Sequence, residues 1–122
     1  MTGTVLIAGA GLAGARVAET LRALGWRGRI VLAGDEPHAP YERPALSKEF
    51  LAGDRDDLSL RPLRFWTEQG IELLRARRVS SVDVARRTAR VGDAELRWDA
   101  LVVATGARAR TLPGALALRT LD

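Results

Sequence analysis

The chain has 122 residues, 47% of them hydrophobic and 28% charged, which describes one modest globular domain able to bury a core and excludes a disordered tail. It contains no cysteine, so disulfide frameworks, thiolate zinc sites, cysteine-ligated iron–sulfur centres and redox dithiols are excluded together. The formal net charge of +4 rests on 19 basic residues, all but one arginine and scattered among Ala, Gly and Leu; that dispersion favours solvated faces over a nucleic-acid track, with a basic face for an acidic protein partner as the second reading.

Thr4-Val-Leu-Ile-Ala8 is a short aliphatic run stopped by glycine, as expected of a strand buried on both faces of a parallel sheet. No basic region precedes it, so it is read as a strand and not a signal peptide, and no run in the chain is long enough for a membrane span. A cytoplasmic protein is the expectation. From Gly11 the pattern changes: Leu12, Arg16, Val17, Leu21 and Leu24 fall near a 3.6-residue period and Gly25 stops it, predicting a helix. Arg29-Ile-Val-Leu-Ala33 predicts a second buried strand, completing a βαβ unit.

Asp35–Pro44 contains Pro37, Pro40 and Pro44 and predicts a long irregular loop. Ser47 fits an N-cap for a short helix over Lys48–Ala52, and Pro62 fits the first position of a helix over Leu63–Gln69 that leads into a strand at Ile71–Leu74. The remainder reads as strands: Val79 to Val84, Thr88–Val91 and Glu95–Trp98 as an antiparallel meander with turns at Arg86-Arg87 and Gly92-Asp93, then a fully apolar Leu101–Ala104. Beyond Leu112-Pro-Gly114 no further helix or strand is expected through Asp122.

Gly9-Ala10-Gly11-Leu12-Ala13-Gly14 is a GxGxxG turn between strand and helix. The first glycine permits the tight turn, the second lets backbone approach a pyrophosphate, and the third lets helix pack on sheet. The helix N-terminus then offers peptide N–H groups and a favourable dipole to the phosphates. Asp35-Glu36 follows the last glycine by about twenty residues, the spacing at which a carboxylate accepts hydrogen bonds from an adenosine ribose and repels a 2′-phosphate. The constellation predicts dinucleotide binding and leaves NAD and FAD equally open.

Pro40-Tyr-Glu-Arg-Pro-Ala-Leu-Ser-Lys48 resembles the PYxRPxLSK signature of the FAD-dependent ferredoxin, rubredoxin and putidaredoxin reductases, the group that includes apoptosis-inducing factor. The likeness extends to Val79 with Val82-Asp83, to Gly92-Asp93 with Trp98-Asp-Ala-Leu-Val-Val-Ala-Thr-Gly106, and to Leu118-Arg-Thr-Leu-Asp122; Trp98 stands where tyrosine is more usual. The resemblance implies a Rossmann-like FAD-binding α/β domain with a parallel βαβ core and an antiparallel β-meander, incomplete here, over residues 1–114, with 115–122 as a link toward an NAD-binding domain. It implies that Gly9, Ala10, Gly11, Leu12, Ala13 and Gly14 hold the FAD pyrophosphate, Asp35 and Glu36 the ribose, and Val79 the adenine through its backbone. Arg43 and Lys48 would lie along the phosphates and the flavin edge, and Ala104, Thr105 and Gly106 at the cofactor side of the sheet. The implied activity passes electrons from NADH through flavin to an acidic ferredoxin- or rubredoxin-type iron–sulfur protein serving an oxygenase or P450. A non-catalytic, stand-alone dinucleotide-binding module is the alternative. His38, the sole histidine, reads as a surface residue, and Tyr41, Trp26, Phe65 and Trp66 as packing.

Overall fold

Side chains alternate along the two central strands, and this alternation divides the core between two faces of one sheet. In the computed structural model, which describes residues 2–122, Val5, Ile7, Ile30 and Leu32 pack on one face against Ala15, Ala18 and Trp66. Leu6, Val31 and Ala33 pack on the other against Ala89, Val91 and Trp98. The sheet is parallel, in the order β3-β2-β1-β7, built from β1 (Thr4–Ala8), β2 (Arg29–Ala33), β3 (Ile71–Leu74) and β7 (Ala100–Val103). Helices α1 (Leu12–Ala23) and α2 (Leu63–Glu68) cover the first face, and the antiparallel sheet β4 (Val79–Asp83), β5 (Thr88–Val91) and β6 (Ala94–Arg97) covers the second. The meander is thus the connection that returns the chain from β3 at one edge to β7 beside β1.

Two sequence expectations are corrected. The helix expected over Lys48–Ala52 with Ser47 as its N-cap does not form; a 3-10 turn at Pro44–Ser47 precedes a series of turns instead. Pro44 starts that turn, and Ala45 and Leu46 are drawn inward against Tyr41 and Leu58, so burial sets the boundary four residues early. The buried face of α1 also matches the expected Leu12 to Leu24 stripe only in its middle, where Val17 and Leu21 pack against the core. Leu12 and Leu24 are exposed, and Gly14, Ala15 and Ala18 lie against the sheet, because small side chains let helix and sheet approach closely. Elsewhere the expected elements stand with shifts of a residue at their ends: α2 stops at Glu68 with Pro62 as its N-cap, and β6 and β7 each begin one residue early.

Arg22, in the last turn of α1, ties the helical layer together. Its guanidinium donates to the carbonyls of Trp26 at 2.7 Å, Gly28 at 2.8 Å, Gln69 at 2.8 Å and Gly70 at 2.8 Å. Four main-chain acceptors from the ends of both helices and the turns behind them are satisfied by one side chain. At the same amino-terminal edge of the sheet, Asp99 joins β7 to the start of β1: its N–H donates to the Thr4 carbonyl at 2.8 Å, and its Oδ2 accepts from Thr4 N at 2.7 Å.

Candidate functional site

The carboxyl ends of β1, β2 and β7 open on one edge of the parallel sheet, where ligands bind in open α/β folds. The glycine turn leaves β1 there, and its three glycines are used differently. Gly9 has φ +116°, and a Cβ on it would stand 2.0 Å from the Ala104 carbonyl oxygen, so it lets the turn close against the end of β7. A Cβ on Gly14 would meet the Gly9 carbonyl oxygen at 1.9 Å, so it lets α1 close on the turn. Gly11 needs neither service. Its backbone is extended, with φ −82° and ψ −165°, and an added Cβ would have nothing within 4 Å. The chain's own packing does not explain this glycine; open space in front of the helix does. That helix end has no side-chain cap and no acidic residue in its first turn, leaving its N–H groups to serve an anion.

The open space is a cleft of about 780 Å³. Its walls include Gly9, Ala10, Gly11, Leu12, Ala13, Asp35, Glu36, Arg43, Val79, Ala104, Thr105 and Gly106, so twelve of the fourteen sequence-derived candidates converge although they come from five separate stretches of chain. Gly14 lies beneath the turn. Lys48 is exposed on the turn following Ser47 and is not among the cleft-lining residues, although Pro44, at the start of that 3-10 segment, is. Among the described residues no His, Asp, Glu cluster is suited to a metal ion.

The two adjacent carboxylates have different surroundings. Asp35 is exposed at the cleft rim and makes no side-chain hydrogen bond among the described residues. Glu36 has both oxygens engaged: Oε2 accepts from the Tyr41 hydroxyl at 2.6 Å and Oε1 from Arg43 Nη2 at 2.8 Å. Burial, followed by the hydrogen bond to Glu36, pushes the Tyr41 hydroxyl up to a pKa of about 12. Arg43 is therefore occupied by Glu36, and its Nη1 donates to the Arg119 carbonyl at 2.7 Å.

Arg119 is the cleft residue that sequence reasoning missed. It lines the cavity, one of its terminal nitrogens lies 3.8 Å from where a Gly106 Cβ would stand, and its buried Nε has no hydrogen-bond partner. Its signal in the sequence was slight: the sole arginine among the last ten residues, after the apolar run Ala115–Leu118. An uncapped helix N-terminus, empty space above Gly11 and a guanidinium with an orphaned buried N–H thus border one cleft, and this donor set suits a phosphate-bearing ligand.

A parallel sheet carrying a GxGxxG turn, with a free carboxylate at the end of its second strand, defines a Rossmann-type dinucleotide-binding protein. The chain belongs to the pyridine nucleotide-disulphide oxidoreductase family, whose profile matches residues 3–122. It is 45% identical over 115 residues to the probable ferredoxin reductase CtmF of Castellaniella defragrans, covering 90% of this chain and 28% of that protein. It is 40% identical to the ferredoxin–NAD(+) reductase subunit of the benzene 1,2-dioxygenase system of Pseudomonas putida, covering 98% of this chain and 32% of the relative. Among solved structures, a covalent putidaredoxin reductase–putidaredoxin complex superposes with a TM-score of 0.91 at 40% identity, covering 98% of this chain and 32% of the reductase-complex chain it matches. The chain therefore spans about three-tenths of the length of these relatives. The fold expectation is met, and the resemblance to ferredoxin-type reductases with it. Despite the family's name, the sequence supplies no cysteine for a redox disulphide, and no described helix is long and apolar enough to cross a membrane.

Proposed function

We propose that these residues form the FAD-binding part of an NADH-dependent ferredoxin-type reductase that passes electrons to an iron–sulfur protein of an oxygenase or P450 system in the cytoplasm. The observation that carries this reading is the cleft itself, where the space over Gly11, the uncapped start of α1 and the Arg119 guanidinium meet. The similarity to a ferredoxin–NAD(+) reductase subunit and to a reductase solved with its iron–sulfur partner supports the choice of FAD and of the electron route. The net charge of +4 is consistent with an acidic acceptor protein.

In this reading the backbone at Gly9 to Ala13 and the α1 N-terminus bind the pyrophosphate, with Arg119, near Gly106, neutralising it. Asp35 accepts from the ribose hydroxyls. The Val79 backbone faces the adenine, and Ala104 to Gly106 close the cleft beside the Gly9 turn, which Gly9 itself makes possible by lacking a Cβ. Lys48, the only lysine, is proposed for the flavin edge, carried by the turn that continues from the cleft-lining Pro44. Bound FAD supplies the hydride and single-electron chemistry, while the protein contributes binding, orientation and charge. Residues 1–114 are proposed as the FAD-binding unit and 115–122, which form no helix or strand, as the link toward an NADH-binding domain.

The test is a titration of the chain with FAD, following quenching of flavin fluorescence, with a full-length reductase assayed for NADH-dependent reduction of ferricyanide or a ferredoxin. Saturable quenching that Asp35→Ala weakens by about tenfold, a loss of about 1.4 kcal/mol, is the expected result. Absence of quenching, together with absence of NADH oxidation by the longer protein refolded with FAD, would dispose of the reading.

A further inference from the structure

Resting on the cleft as the FAD site, we propose that Glu36 is a positioning residue and not a ribose ligand: through Tyr41 and Arg43 it clamps residues 119–121, and so holds Arg119 at the phosphate wall of the cleft.

Glu36, Tyr41 and Arg43 form a closed ring of hydrogen bonds. Tyr41 donates to Glu36 at 2.6 Å, Arg43 Nη2 donates to Glu36 at 2.8 Å, and Arg43 Nη1 donates to the Tyr41 hydroxyl at 3.2 Å. From this ring two bonds reach the end of the chain. Arg43 Nη1 donates to the Arg119 carbonyl at 2.7 Å, and the Tyr41 hydroxyl accepts from Leu121 N at 3.0 Å. The Tyr41 hydroxyl thus uses its one proton and both acceptor positions. Tyr41 is buried, and the Glu36 and Arg43 side chains retain only 22% and 27% of their exposure, so the ring is sheltered enough to hold its geometry.

Residues 119–121 have no helix or strand to fix them, and these side-chain bonds, spanning 76 and 80 positions of sequence, take that role. What they fix matters, since Arg119 and Thr120 line the cleft. A Glu36 carboxylate turned toward ribose would surrender a charge-assisted bond to Arg43 and leave the proton of a sheltered tyrosine hydroxyl without its acceptor. Asp35, exposed and without a side-chain partner among the described residues, accepts a ribose at no such cost.

Two measurements on the chain test the clamp. The first is amide hydrogen exchange at Leu121 in the absence of ligand; Glu36→Ala and Arg43→Ala are each expected to speed it by about tenfold or more, with no further increase in the double variant. The second compares binding of FAD with binding of its analogue lacking the 2′-hydroxyl of the adenosine ribose. Glu36→Ala is expected to weaken both about equally and keep the wild-type preference, whereas Asp35→Ala erases the preference. Loss of the preference in Glu36→Ala marks a direct ribose contact and overturns the proposal, as does wild-type exchange at Leu121. Should Glu36→Ala not fold, Glu36→Gln, which keeps the size but drops the charge facing Arg43, is judged by the same readouts. If the wild-type chain and the full-length protein bind no FAD, the functional reading fails and the cofactor role assigned to the clamp fails with it, while Leu121 exchange still decides whether the clamp exists.

Discussion

Gly14 lies directly beneath Gly9, so close that a Cβ on Gly14 would stand 1.9 Å from the Gly9 carbonyl oxygen. Backbone, not a flexible side chain, occupies the space, and neither partner can yield without moving α1 off the sheet. The first residues of the helix owe their position at the mouth of the cleft to this contact.

The three glycines of the turn should therefore separate stability from binding. Gly14→Ala and Gly9→Ala each force a shift of backbone and are expected to cost about 1–3 kcal/mol, with Gly9→Ala adding strain at positive φ. Gly11→Ala keeps an allowed backbone and meets nothing, so its melting temperature should match wild type within a degree or two while FAD binding falls. Thermal melts and flavin quenching on the three variants check this, and a large stability loss in Gly11→Ala contradicts it.

Arg22, half-buried, is expected to carry more stability than the chain's surface ion pairs. Its replacement by alanine strands four carbonyls at the ends of α1 and α2, and about 2 kcal/mol is the expected loss, read as a fall of several degrees in melting temperature. Arg22→Lys should recover little, because a compact ammonium cannot reach four acceptors spread about a planar fork. Urea unfolding of both variants decides the point.

Tyr41 gives the protein an alkaline limit. Its folded pKa of about 12 lies above the ordinary value of 10.0, so the folded state holds the proton more tightly than the unfolded chain does. The stabilisation is whole below pH 10 and is lost as pH rises from there toward 12. Urea midpoints measured from pH 9 to pH 11 should decline, and Tyr41→Phe, less stable at neutral pH for want of its bonds to Glu36 and Leu121, should show a shallower decline.

Much of this architecture can be read from the residues in order. The apolar runs at Thr4–Ala8 and Arg29–Ala33 lie where strands form, because runs buried on both faces have few alternatives, and the apolar run near Leu101 likewise forms a strand, although as the half-exposed edge of the sheet. The glycine turn and Asp35 were legible because spacing alone relates them. Less legible was the inner face of α1, where the expectation followed the largest side chains, Leu12 and Leu24, while the tight approach at Gly14 selects alanine and glycine. The 3-10 turn at Pro44 escaped notice because its cause is the distant Leu58, against which Ala45 and Leu46 pack. Arg119 and the reach of Arg22 to Gln69 and Gly70 were missed for the same reason: these partners lie tens of residues away, and no local pattern records a contact of that length.

The pairing of Thr4 with Asp99 bridges 95 positions, an interval that holds both helices, two strands of the parallel sheet and the whole meander. Closing so long a loop is entropically costly and slow compared with forming β1, α1 and β2, which are neighbours in sequence. The wall supplied by Ala104 to Gly106 can stand only after that closure, since it continues β7. In refolding, the glycine turn is therefore an early product and the complete cleft a late one, so recovery of ligand binding should trail recovery of helix signal and keep pace with the slowest folding phase.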